Sequence, residues 1–113
     1  MGTRSTVKFI SEHDQETVLL SIYQQYDGYI DGVGRQLAEF LKDKKVINGF
    51  NSSQTMETGY ANGMGCLAAQ YLASIKTGVG GVYCTGPDDK QQYNYRVSLV
   101  GENLIVEVDD LFK

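Results

Sequence analysis

Little in this chain of 113 residues is equipped for metal or nucleophilic chemistry. It has one histidine, His13, and two cysteines, Cys66 and Cys84, too far apart to form the C-x-x-C pair of a zinc or redox site. His13 and Asp14 fall in an expected hairpin turn, where sequence neighbours do not make a triad, and Ser52, Ser53 and Thr55 have no identifiable base. No catalytic residue, metal ligand or cofactor is expected, and enzymatic activity is the less favoured reading. The cysteines read as buried small hydrophobes, with a disulfide as the alternative that their even number leaves open.

Clustered positive charge is lacking too. A net charge of -4 with scattered Lys and Arg excludes a chain built to grip phosphate, so no nucleic-acid partner is expected. The one dense group, Lys42, Lys44 and Lys45, closes a predicted helix, where positive charge complements the dipole. The acidic residues Glu102, Glu107, Asp109 and Asp110 read as a solvated strand end, with nucleic-acid mimicry the alternative. No apolar run approaches the roughly twenty residues needed to span a bilayer, so no membrane partner is expected. With two cysteines and no apolar signal segment after Met1, a reducing cytoplasm is the default location.

What is present is ordinary globular material, 42% hydrophobic and 21% charged with a single proline, and it predicts one domain over residues 1–113. Thr6-Val7-Lys8-Phe9-Ile10 alternates as a strand, and after a polar turn Thr17 to Gln25 places Val18, Leu20 and Ile22 on one face of a second. Val33, Leu37, Phe40, Leu41 and Lys44 then form one helical stripe, with Asp31 or Gly32 as its cap and Asn48-Gly49 as its stop. From Asn48 to Gly65 the chain is polar, and a short helical turn near Thr55 to Tyr60 would shorten an otherwise long loop. Met64, Leu67, Ala68, Tyr71, Leu72 and Ile75 give the cleanest amphipathic helix. The last third reads as a meander: Val79 to Thr85, a turn at Gly86-Pro87-Asp88-Asp89, a strand carrying Tyr93, Tyr95, Val97 and Leu99, and a final strand carrying Leu104, Val106 and Val108.

The predicted order is β-β-α-α-β-β-β. Hairpins at both ends favour a mainly antiparallel sheet of about five strands, and both helices need an apolar surface to cover, so the expected fold is an α+β two-layer sandwich with two helices on one face. A first helix lying across one edge of the sheet is the alternative.

The passage Tyr26-Asp27-Gly28-Tyr29-Ile30-Asp31-Gly32-Val33-Gly34 reads as a rigid corner between hairpin and helix. Met1-Gly2-Thr3-Arg4-Ser5, followed after the hairpin by Tyr26-Asp27-Gly28-Tyr29, Gly32, Gly34 and a helix, resembles a group of small bacteriophage and bacterial proteins. Those proteins begin with the same few residues and carry an aromatic-Asp-Gly-Tyr motif before a glycine-containing helix start. The resemblance covers mainly the first forty residues. Where the group often has a His-Trp pair before Asp-Gly, this chain has Gln25-Tyr26, and any role of that pair does not carry over. The resemblance implies a phage-type origin and a bacterial cytoplasm without supplying an activity.

If the corner holds a ligand, Tyr26, Asp27, Tyr29, Asp31 and Arg35 are its candidate residues, with an anion at the helix start as one form of that reading. Eight tyrosines, six of them on or next to predicted strands, read first as packing at the sheet rim and otherwise as an interface; with an ordinary core and no catalytic constellation they motivate a different function. That function is a non-enzymatic interaction module, engaging a protein partner or a second copy of itself through a strand edge or a tyrosine-bearing face.

Overall fold

The computed structural model describes residues 2–49 and 59–111. The chain runs β1 (Ser5–Ile10), β2 (Val18–Gln24), a π-helical turn (Ile30–Gly34), α1 (Arg35–Leu41), β3 (Lys45–Ile47), β4 (Tyr60–Asn62), α2 (Gly63–Ile75), β5 (Val82–Thr85), β6 (Tyr93–Val100) and β7 (Asn103–Asp110). Five strands form one sheet in the order β5-β2-β1-β6-β7, and β3 pairs with β4 in a small parallel sheet of its own. The β1–β2, β2–β5 and β6–β7 pairings are antiparallel, whereas β1 and β6 run parallel. The fold is therefore α+β with a mixed, mainly antiparallel sheet.

Alternation decides which face the helices cover. Val7 and Phe9 of β1, Ile22 of β2 and Tyr95 and Val97 of β6 point to one side and join one buried cluster. Onto it α2 inserts Met64, Leu67, Ala68 and Tyr71, while the π-turn and α1 insert Val33, Leu37 and Leu41. Each large apolar side chain buried there contributes about 1.5–3 kcal/mol. The two helices meet where the Phe40 ring packs edge-on against Tyr71, 5.2 Å between centroids.

The opposite face is covered by a strap. The Gly86–Asp89 turn forms, but it does not return the chain beside β5 as a meander would. β5 and β6 are separated by β2 and β1, so residues 86–92 cross the sheet. Lys8 holds the strap down by donating to the Asp89 carbonyl, and Thr85 donates to the Asp89 carboxylate (2.9 Å). Burial lowers the Lys8 pKa, and the Asp89 carboxylate opposes that shift.

Other expectations need correction. α1 ends at Leu41, not near Lys44, and Asn48-Gly49 follows β3 instead of stopping a helix. Lys44 instead lies over the Phe40 ring, 4.6 Å from its centroid. The helical turn near Thr55 to Tyr60 falls mostly outside the described residues; Tyr60 itself opens β4. Cys66 is half-buried, Cys84 is exposed, and both are free thiols. Glu12, in the turn between β1 and β2, reaches the start of α2, where its Oε2 accepts the Met64 N–H (2.9 Å). Among the described residues no helix is long and apolar enough to cross a membrane.

Candidate functional site

The corner between β2 and α1 is built from backbone contacts. Asp27 adopts a left-handed conformation (φ 59), which aspartate tolerates better than most residues. Gly28 then passes so close to β1 that a Cβ would sit 2.7 Å from that of Ser5 and 3.0 Å from the Arg4 carbonyl carbon. Its N–H donates to the Thr3 carbonyl (2.9 Å), and its own carbonyl accepts the buried Tyr95 hydroxyl (2.7 Å). Gly2 packs against the Gln25 carbonyl and the Tyr26 ring. The opening residues and the Tyr-Asp-Gly-Tyr stretch, far apart in the chain, thus form one packed unit.

The helix start is wide for an equally local reason. The Asp27 carbonyl accepts the Val33 N–H (2.8 Å) and lies 2.1 Å from where a Cβ of residue 32 would be, so only glycine fits there. The Arg35 N–H reaches the Ile30 carbonyl, giving the π-turn. No side chain caps it: Asp31, expected as the cap, instead pairs with Arg35 (2.8 Å) on the exposed side of the helix.

Beside this corner lies a groove of about 210 Å³ lined by Gln24, Tyr26, Asp27, Gly32, Val33 and Gln36. Of the five candidate residues, Tyr26 and Asp27 line it. Tyr29 reaches it indirectly, donating its hydroxyl to Asp27 Oδ1 (3.2 Å), and that carboxylate raises the Tyr29 pKa. Asp31 and Arg35 are outside it, engaged with each other. The lining also contains two residues not singled out from the sequence, Gln24 and Gln36. Gln24 Nε2 donates to the Tyr71 hydroxyl (3.2 Å), which donates to Gln36 Oε1 (3.2 Å). Burial pushes the Tyr71 pKa up to about 12 and keeps the phenol neutral. Gln24 had a legible signal, because it follows Leu20 and Ile22 on the inward register of β2, where a hydrophobe is the rule. Gln36, exposed on α1, had none.

Charge in the groove opposes an anion. Asp27 is its one charged lining residue, the arginine nearby is engaged with Asp31, and α1 is only seven residues long. Among the described residues no group of three or more His, Cys, Asp or Glu side chains is arranged to hold a metal ion.

A second surface lies at the far edge of the sheet. β7 is the last strand, and Ile105 (39% exposed), Val106 (42%), Val108 (45%) and the following Leu111 (47%) remain open. The Leu111 N–H donates to the Gln92 carbonyl (2.8 Å), which fixes the ladder's parity. Leu104, Val106 and Val108 therefore turn their backbone groups to the free edge. Between β7 and α1 runs a groove of about 380 Å³, lined by Ala38, Leu41, Lys42 and Lys44 on one side and Glu102, Asn103, Leu104 and Val106 on the other.

The chain matches no protein-family model, and no curated protein or solved structure matches it significantly.

Proposed function

We propose that this protein is a non-enzymatic interaction module, an accessory protein of phage type acting in a bacterial cytoplasm, that self-associates edge to edge through β7. The observation that carries this reading is the eight-residue edge strand with exposed Ile105, Val106 and Val108. Edge strands of monomeric proteins are usually short, charged, bulged or covered, and this one pairs regularly with β6 along its length.

A second copy is the occupant the strand fits. Antiparallel pairing about a twofold axis at Val106 places Val106 against its own equivalent and Leu104 against Val108, all three presenting outward backbone groups. The same axis carries the Asp109-Asp110 end of each copy toward the other's Glu102-to-Leu104 end. In that register Asp110 of one copy falls opposite Glu102 of the other, so charge does not favour the pairing and the exposed apolar side chains carry it. His13 supports the non-enzymatic part: it is exposed in the β1–β2 turn, and its only hydrogen bond in the described structure runs from its backbone N–H to Ser11 Oγ (3.1 Å).

Light scattering after size exclusion tests the reading. The native chain is expected as a dimer, and Val106→Lys, which places a charge at the centre of the free edge, as a folded monomer whose circular dichroism matches the native chain and whose unfolding midpoint no longer depends on concentration. A native chain that stays monomeric at high concentration, or a Val106→Lys variant that keeps the native oligomeric state, would sink it.

A further inference from the structure

We propose that the groove at the β2–α1 corner binds an uncharged, planar group of nucleobase size through its lactam edge, that is, through an adjacent ring N–H and C=O. This site is independent of the β7 edge, and the two fail or stand separately.

The first support is a misplaced amide. Gln24 is 5% exposed at an inward position of β2, where a primary amide costs free energy unless its hydrogen bonds are met. A phenol has one proton to give. Because Tyr71 gives it to Gln36 Oε1, Gln24 must donate to Tyr71, and the Gln24 carbonyl accepts nothing among the described residues. On Gln36 the same relay occupies the carbonyl and leaves the NH2 group. The two groove-lining amides therefore hold one vacant acceptor and one vacant donor, and reversing the relay would only exchange their roles. A lactam edge carries the complementary pair, as does the amidine edge of adenine, so the choice between them falls to Asp27.

The remaining lining narrows the class. Val33, 3% exposed, is an apolar patch, and Tyr26, 59% exposed, offers a ring at the rim on which a base can stack. Asp27 adds an acceptor for ring N–H or exocyclic NH2 donors, the pairing a carboxylate makes with guanine, and it repels phosphate and carboxylate. The Asp27 backbone is held at φ 59 by a corner in which Gly28 and Gly32 leave no slack. The volume, about 210 Å³, is below that of a drug-sized pocket and suits one base, with any sugar in solvent. Guanine carries an exocyclic NH2 beside its lactam N–H, a second donor that Asp27 can accept, whereas adenine has a single donor group at its edge and leaves Asp27 unmet once an amide carbonyl takes it.

Titration of the isotope-labelled full-length protein with guanosine, uridine, adenosine and guanosine monophosphate, read by NMR, tests the assignment. For a ligand this small, guanosine is expected to bind in the range of about 0.1–5 mM and to shift the side-chain amide signals of Gln24 and Gln36 and the backbone signal of Asp27. Adenosine should bind about ten-fold more weakly, and the monophosphate no better than guanosine. Gln36→Ala, at an exposed helix position, should keep the fold and weaken guanosine about ten-fold. No shift with guanosine or uridine at several millimolar would overturn the site. Equal shifts from adenosine would overturn the lactam assignment, and guanosine shifts confined to β7 would overturn both.

Discussion

β1 and β7 lie two places apart in one sheet and follow the same alternating pattern, yet one is sealed and the other open. Val7 and Phe9 of β1 are wholly buried under the helices, and residues 86–92 close its other face through Lys8 and Asp89. Val106 and Val108 of β7 occupy the same face of the sheet and remain 42% and 45% exposed. The difference comes from the roof. Val33 and Leu37 join the cluster around Tyr95 and Val97 of β6, Gly34 rests against the Tyr95 ring, and α1 stops after seven residues. A sheet wider than its roof keeps an apolar margin, and here the margin is β7 at Val106 and Val108, while Leu104 still packs against the core.

The comparison breaks most visibly in denaturant unfolding. Phe9→Ala removes a fully buried ring that packs 5.6 Å from Tyr71, and should cost about 3–5 kcal/mol. Val106→Ala, on the same face of the open strand, should cost less than about 1 kcal/mol. At concentrations dilute enough to keep the chain monomeric, a Val106 cost approaching that of Phe9 would mean that β7 is buried in the monomer and unavailable to a partner.

Glycine substitutions sharpen the contrast between a rigid corner and open surface. Gly28→Ala and Gly32→Ala each push a methyl group into β1 or the Asp27 carbonyl and should cost about 1–3 kcal/mol. Gly65, exposed in the first turn of α2 with nothing within 4 Å of a Cβ, should accept alanine with a gain of about 0.5–1 kcal/mol. A neutral Gly32→Ala measured beside a stabilising Gly65→Ala would show that the corner is slack.

The sequence made the fold class, the first hairpin, α2 and the corner legible, because each rests on short-range chemistry: alternation in β1, the stripe from Met64 to Tyr71, and Asp-Gly pairs at the turn. It did not make the strand order legible. Asp88 and Asp89 after Pro87 look the same whether the chain folds back as a hairpin or crosses the sheet; the parallel pairing of β1 with β6 decides between them. The groove was half legible. Tyr26 and Asp27 stood out by composition, whereas Gln24 and Gln36 matter through a shared contact with Tyr71, 47 and 35 residues away, that no local pattern encodes. Asp31 and Arg35 were misleading for the converse reason, since their spacing also makes a surface ion pair, which contributes at most about 1 kcal/mol.

Between the two regions, Tyr95 ties β6 to the corner. Tyr95→Phe removes the donor to the buried Gly28 carbonyl while leaving the ring in place, and should cost about 1–2 kcal/mol by urea unfolding. The corner and not the β7 edge should respond: hydrogen exchange should quicken at Gly28 and Val33 and stay unchanged along β7. An equal response in β7 would show that the sheet and its corner loosen as one unit.

The smallest effect concerns a contact that joins the first hairpin to α2. The Glu12 carboxylate accepts the Met64 N–H at the helix start, and chiefly for that reason its pKa lies below the ordinary 4.5. A folded-state pKa below the unfolded value adds stability that is fully present above the unfolded value and is lost as pH falls through the folded one. Asp14, in the same turn, shifts in the same direction through its bonds to Glu16 and Thr17, so acid sensitivity of the native chain alone does not isolate Glu12. The difference between the native chain and Glu12→Ala does, because Asp14 is present in both and cancels. That difference should be about 1 kcal/mol at neutral pH and should shrink as pH falls below the ordinary glutamate value. Glu12→Gln, which keeps an acceptor for the Met64 N–H, should retain part of the stability without its pH dependence. A native-minus-Glu12→Ala difference that stays constant down to strongly acidic pH would show that the glutamate stabilises the start of α2 by packing alone.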